Sequence, residues 1–434
     1  MDSKKETCTV SISNMDNPRR HFLSGKRIII AGGGIAGLSF AASLNQLWHS
    51  ALGPPPIITI FDRDAQDVEQ QREGYSLSLA GHDNTGGLIA LKNMNLLDRM
   101  CSHAISGLDD KGSFKIWASD WKEKISLRRK PVDGLPSSSI RVTRRDLRQV
   151  LLSAIGTSVN VQWQSKCLSA ASNADDGVMV QVQKEGQEQV ETHGCDLLVV
   201  ADGANSKLRS FLRPDDKLQY AGAVLRGGLS RFDGQLPKPL DRDWGFVLSG
   251  TGVSCFYSPV DDNSIVWAVG HLEEVESPAF NRESEDEAAA VVARARELGA
   301  DFTEPFSTVV SQTDHRAVMC INARDKMPFS HQESINKMPV IFIGDSNHAL
   351  SPFAGFGANL ALADGWELAH QLCGGRDITA AVRRYDAVAV PRAARIVKAS
   401  RAKLRTGHST GWRLWMFMVM LAVGRFFGMV LRRR

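Results

Sequence analysis

Lys26-Arg27-Ile28-Ile29-Ile30-Ala31-Gly32-Gly33-Gly34-Ile35-Ala36-Gly37 is the stretch that decides the fold. Lys26–Ala31 is an apolar run expected as a buried strand, and Gly32 to Gly37 match the spacing G-x-G-x-x-G. Gly32 permits a tight turn, Gly34 lets the backbone approach a pyrophosphate, and Gly37 lets a helix pack closely on the strand. The helix Ile35–Trp48 is closed by the breaker Gly53-Pro54-Pro55-Pro56, and a second strand, Ile57–Phe61, delivers Asp62. This is a βαβ unit, with helix amides free to face phosphates. Asp62, 25 residues after Gly37, stands where an acid can accept hydrogen bonds from an adenosine ribose, with Arg63 beside it. A glycine turn alone would be a weak signal. Strand, helix and acid together predict dinucleotide binding.

Two later segments extend the pattern. The apolar run Cys195–Asp202 reads as a strand inside a parallel sheet, ending in Ala201-Asp202-Gly203 with Arg209 shortly after. Val340–Gly344 is a third such strand and delivers Asp345, a carboxylate able to hold a polyol hydroxyl. Pro352, Gly355, Gly357, Ala358 and Asn359 follow, opening a helix Gly357–Leu372 whose unpaired N–H groups and positive dipole end suit an electron-rich ligand edge. Between these landmarks, about Tyr220–Cys320 changes texture. Short segments such as Val253–Val260 and Ile265–Gly270 predict a mostly antiparallel sheet, interrupted by a charged helix at about Arg282–Leu298. The fold class expected is α/β, a discontinuous Rossmann-type domain with an inserted, mostly antiparallel substrate domain and a C-terminal helical tail. The boundaries expected are a leader at 1–24, a dinucleotide domain at 25–105, 140–215 and 325–375, a substrate domain at 106–139 and 216–324, and the tail at 376–434.

Composition excludes several classes. The 434 residues are 43% hydrophobic and 23% charged, ordinary for a globular chain and unlike a disordered or multi-span one. Seven dispersed cysteines without a C-x-x-C pair predict reduced thiols in the cytosol, and no metal-ligand spacing occurs. The net charge of +4 is uneven. Ala381–Arg434 carries 13 Lys or Arg against one acid, Asp386, so the rest is acidic, 39 basic against 47 acidic residues. Such a tail can meet a membrane or nucleic acid. With no recognisable nucleic-acid module, a nucleic-acid partner is not expected. Trp412–Leu431 is strongly apolar, but Arg413 and Arg425 leave only Leu414–Gly424 uninterrupted, too short to span a bilayer. Trp412, Trp415 and Arg432-Arg433-Arg434 suit an interfacial helix from about 411, and a packed helix or dimer contact is the competing reading.

The glycine fingerprint, Ala201-Asp202-Gly203, and Gly344-Asp345 with Pro352 and Gly355 resemble the class A, p-hydroxybenzoate hydroxylase-like FAD-dependent monooxygenases, in the right order from about Gly25 to Leu372. Gly74-Tyr75-Ser76-Leu77-Ser78 and Val142-Thr143-Arg144-Arg145-Asp146 are similar to segments of the tetracycline-inactivating members, and Leu225-Arg226-Gly227 to a step in natural-product-tailoring ones. The resemblance implies that FAD is held by Gly32, Gly34, Gly37, Asp62, Arg63, Gly74, Arg144, Asp202, Asp345, Pro352, Gly355, Gly357, Ala358 and Asn359. It also implies that Arg72 meets NADPH (or NADH). At Ser78 the tetracycline-inactivating group has an acid. The candidate catalytic residues are Arg226, an acid or donor on the substrate side, and Tyr257, an aromatic of the pocket. The activity implied is oxygenation of a small aromatic or polycyclic compound by FAD, NAD(P)H and dioxygen. Tailoring of a secondary metabolite is the first reading and antibiotic inactivation the second. A non-catalytic carrier of the same fold is the rival from another class.

Overall fold

In the computed structural model, which describes residues 20–66, 75–109, 111–127, 129–173, 177–281, 283–412, 414, 416 and 419, the run Arg27–Ala31 is the middle strand of a five-stranded parallel sheet. The order across it is Val340–Phe342, Leu197–Val200, Arg27–Ala31, Ile57–Phe61, Asn160–Gln162. Ile28 pairs with Ile58 on one side and Leu197 on the other. The central strands are apolar on both faces because both faces are covered. Ile28, Ile30 and Ile60 pack against Leu38, Leu147 and Leu362 of the helices Ile35–Leu47, Arg144–Ile155 and Gly357–Cys373. Ile29, Phe61 and Leu198 pack against Cys167, Val178 and Val180 of a three-stranded antiparallel sheet. Each such side chain contributes about 1.5–3 kcal/mol through burial.

The run expected as one strand, Cys195–Asp202, is divided between those two sheets. Val190–Cys195 pairs antiparallel with Val178–Lys184, and Leu197–Val200 joins the parallel sheet. Asp196 makes the change, because its carboxylate accepts the Arg27 amide at 2.8 Å and its own amide donates to the Arg27 carbonyl.

A seven-stranded sheet forms the second layer, in the order Met319–Asp325, Gln219–Arg231, Ser264–Leu272, Val253–Asp261, Trp244–Leu248, Phe114–Ala118, Glu123–Leu127. Its neighbours are antiparallel except where Trp244–Leu248 runs parallel to Phe114–Ala118. Alternation along the strands gives it two unlike faces. Cys255, Tyr257, Trp267 and Val269 lie under the helices Glu285–Leu298 and Phe306–Ser311. Leu225 and Ala268 face Phe353 and Leu404, and Phe256 and Val266 share that second face. A two-stranded ribbon, Ser76–Ala80 with Ser139–Thr143, fastens the layers together, since Ser76 Oγ donates to the Pro259 carbonyl at 2.9 Å.

The helix Ile378–Gly407 closes the molecule. Two of its basic residues pair with buried acids. Arg392 reaches Asp364 at 2.8 Å and Arg401 reaches Asp325 at 2.6 Å. The basic tail is therefore partly a counter-charge for the acidic body.

Candidate active site

The three glycines of the fingerprint have different structural reasons. Gly32 has φ +111°, and a side chain there would collide with the Ala201 carbonyl of the neighbouring strand. At Gly37 a Cβ would strike the Gly32 carbonyl. Gly34 is different, with an ordinary φ of −81° and nothing within 4 Å of where its Cβ would lie. The protein itself does not need a glycine there, and the space beside it stays open. Asp62 frames it: one carboxylate oxygen accepts the Gly33 amide at 2.5 Å and the other the Asp64 amide at 2.8 Å. Burial pushes the Asp62 carboxyl up, and those two amides oppose the shift. Arg63 lies on the surface, 3.7 Å from Asp64.

Opposite, Gly344 turns with φ +60° after the strand Val340–Phe342, and its amide is anchored on Asp364 at 2.9 Å. Asp345 follows, half-buried, its carboxylate accepting no hydrogen bond among the described residues. Burial pushes its carboxyl up, against the pull of His348 and Arg144. Arg144, at the start of the helix Arg144–Ile155, has a buried Nη1 without a protein partner. An uncommitted acid and an orphaned guanidinium nitrogen, from distant segments, thus lie near enough to act on each other without forming an ion pair. Gly355 (φ +61°) and Gly357 also leave open room where a Cβ would lie, and the helix Gly357–Cys373 starts there with no side-chain cap. Pro352 begins the single turn before it, and Ala358 is half-buried in the first helical turn.

The residues present therefore fit FAD. Gly34 and the first turn of Ile35–Leu47 would receive the pyrophosphate, Asp62 the ribose, and Arg144 and Asp345 the chain between them and the ring. The start of Gly357–Cys373 would then meet the ring edge. On this assignment Asp345→Ala is expected to weaken FAD binding at least tenfold with an unchanged circular dichroism spectrum. Equal FAD content in variant and wild type would refute it.

Several of the proposed contact residues also hold the protein itself together. Asn359 is a clamp, its Oδ1 accepting the Ala80 and Gly87 amides at 2.7 and 2.8 Å and its Nδ2 donating to the Ser78 carbonyl. Asp202 caps the helix Lys207–Leu212 through the Lys207 amide at 3.0 Å, and its second oxygen is buried without a partner. Arg72 and Gly74 lie outside the described residues.

Strand alternation puts the two candidate catalytic residues on the outer face of the large sheet. Arg226 sits beside Leu225 but on the opposite face, paired with Glu273 at 2.5 Å near Phe280, Val291 and Arg294 under the outer helix. Tyr257 is fully buried on that same outer face, 5.1 Å from the Trp121 ring, and burial pushes its phenol well up. Neither borders the cradle. Phe256, one residue away, does face inward.

Sequence reasoning missed the buried supports. Asp364 accepts from Gly344, His348 and Arg392 together. Burial would raise its carboxyl, but His348 and Arg392 hold it down at about 2. Arg209 donates to the Ala204 carbonyl at 2.5 Å and the Ser346 carbonyl at 3.0 Å, tying the Asp202 turn to the Asp345 turn. The signals were present, as an acid on an apolar helix and an arginine three residues beyond a serine cap. Their partners lay too far along the chain to be named.

Comparison with known proteins shows the family. Residues 26–400 match the family described as "FAD binding domain". The chain is 38% identical over 395 residues to the monooxygenase cfoF of Aspergillus candidus, covering 90% of this chain and 94% of that one. It is 26% identical to the chloroplastic zeaxanthin epoxidase of Capsicum annuum over 83% of its length, and spans about half of that protein. The fold is that of Klebsiella pneumoniae HpxO complexed with FAD and uric acid, with TM-score 0.70, 20% identity, and 92% and 94% of the two chains covered. With an open glycine cradle, an uncommitted Asp345 and an orphaned Arg144, the chain belongs to the FAD binding domain family, as a flavin-dependent monooxygenase.

Proposed function

We propose that this monooxygenase uses NADPH (or NADH) and dioxygen to oxygenate a small aromatic or polycyclic compound, tailoring a secondary metabolite. The observation that carries this reading is an aromatic panel on the inward face of the large sheet. Phe114, Phe246 and Phe256 stand with ring centroids 6.1 and 5.1 Å apart, and all three are only half-buried. Such a panel suits a flat ring. Uric acid, the compound in the HpxO complex, is itself small and flat.

Bound FAD supplies hydride acceptance and activation of dioxygen. The chain supplies the rest. Asp345 and Arg144 fix the cofactor, the amides at the start of Gly357–Cys373 stabilise negative charge at its ring edge, and the phenylalanines exclude water from the reacting face. Anaerobic mixing with NADPH is expected to bleach the flavin absorbance, faster when the right aromatic is present. A flavin that neither coenzyme reduces would contradict the reading.

A second expectation concerns the tail. Trp412 and Met416 are 65% and 52% exposed, four residues apart, at the end of the described chain. Among the described residues no helix is long and apolar enough to cross a membrane. We propose peripheral contact with an anionic membrane. Full-length protein is expected to pellet with phosphatidylserine vesicles and a chain ending at residue 410 to stay in the supernatant. Equal partitioning would rule out the contact.

A further inference from the structure

The turn Pro352–Ala354, which leads into the helix Gly357–Cys373, is held from outside its own segment. Ser351, just before it, shares a buried hydrogen bond with Ser400 of the helix Ile378–Gly407, their hydroxyls 2.9 Å apart. Phe353 of the turn packs with Leu225 and Ala268 on the inward face of the large sheet. The ring of His408 meets Phe353 edge-on, with centroids 5.1 Å apart. His408 is buried and caps the end of Ile378–Gly407. Its Nδ1 lies 2.8 Å from the Leu404 carbonyl, one of those a helix end leaves unpaired, and its Nε2 lies 3.1 Å from Ser254 Oγ on the sheet. Gly270 is the notch that admits both rings. A Cβ there would stand 2.9 Å from His408 Nε2 and 3.0 Å from the Phe353 ring.

The partners of this histidine fix its protonation. A carbonyl only accepts, so Nδ1 carries the hydrogen and donates to Leu404. Burial lowers the imidazole below its ordinary 6.5 and His271 pushes it the same way, against the pull of the Leu404 and Gly270 carbonyls, so the ring is uncharged at neutral pH. Nε2 then keeps its lone pair, and the Ser254 hydroxyl donates to it. One neutral side chain thus links the helix end, the sheet and, through Phe353, the turn before Gly357. Ser254 and Phe256, two residues apart on the strand Val253–Asp261, share a face, so this contact lies on the same face as the aromatic panel. We infer that His408 is a positioning residue. By holding Phe353 in the Gly270 notch, it keeps the amides at the start of Gly357–Cys373 aimed at the flavin edge, where reduction places negative charge. This rests on the FAD placement given above, and adds that the C-terminal end of the chain tunes the cofactor's reduction potential.

The test measures the two-electron reduction potential of FAD bound to full-length wild type, His408→Ala, Ser254→Ala and Val382→Ala, with thermal denaturation of each. His408→Ala should lower the preference for reduced over oxidised flavin about tenfold, a fall of about 30 mV. Ser254→Ala removes only the hydrogen bond on the sheet side and should lower that preference about threefold. It decides the matter if His408→Ala does not fold or holds no FAD. Val382, fully buried near the start of the same helix, packs in a different part of the core from Phe353. Val382→Ala should lower the melting temperature and leave the potential unchanged, which separates positioning from stability. An unmoved potential in the deciding variant overturns the inference, and so does an equal fall in Val382→Ala, since any loosening of the helix would then suffice. Wild type that takes up no FAD instead overturns the cofactor assignment.

Discussion

Gly34→Val is expected to give a folded protein that has lost FAD. The backbone there is extended, with φ −81° and ψ −172°, which valine adopts readily, and its Cβ would meet no protein atom within 4 Å. The cost to the apoprotein is that of a poorer helix cap, about 1 kcal/mol. The branched side chain would stand where the pyrophosphate approaches the backbone, so FAD affinity should fall more than 100-fold, since the phosphates cannot then reach the helix amides. Gly32→Val is the contrasting case. Its φ of +111° and the Ala201 carbonyl leave no room, and it is expected to fail to fold. Fluorescence titration with FAD and thermal denaturation separate the two. Normal FAD binding by Gly34→Val would mean that the open space belongs to something else.

Asp364→Asn is expected to destabilise the protein by about 3–5 kcal/mol, the scale of a buried ion pair with one partner removed. Asp364 is fully buried and takes hydrogen bonds from the Gly344 amide at 2.9 Å, from Arg392 at 2.8 Å and from His348 at 2.5 Å. An asparagine presents an NH2 group to donors and leaves Arg392 buried without an anion. The same network sets the acid limit of stability. A carboxyl held at about 2, against an ordinary 3.8, adds stability that is complete above about pH 4 and disappears as the pH falls toward 2. The His348 imidazole is shifted the other way: burial lowers it, but Asp364 raises it further, above 6.5. Its contribution is complete below pH 6.5 and fades as the pH rises past its folded value. Urea unfolding at pH 3, 5 and 8 measures both. A loss under 1 kcal/mol in Asp364→Asn would show that the network does not support the Gly344 turn.

What the sequence made readable was whatever runs consecutively along the chain. The glycine fingerprint, Asp62 and Gly344-Asp345 each sit at the end of one apolar strand, so a local pattern places them. The faces that Arg226 and Tyr257 occupy were not legible, for a reason special to strands. Adjacent residues point to opposite faces, and both faces of the large sheet are apolar, one under helices and one beside Phe353 and Leu404. Nothing in Leu225-Arg226 or Phe256-Tyr257 says which face meets the cofactor. Arg141 shows the reverse. With Ile140 and Val142 at core positions, the alternation already sends it away from that core, yet only the fold reveals that it meets Phe256 there rather than solvent. Asp364 needed partners 16 residues before it and 28 after it, which no local pattern supplies.

Turnover under isotopically labelled dioxygen, with mass spectrometry of the product of an aromatic substrate, tests the central assignment most directly. The structure predicts one labelled oxygen atom in the product, formed only by FAD-loaded protein and lost in Gly34→Val. Product without label, with all of the labelled oxygen recovered as hydrogen peroxide, would contradict it.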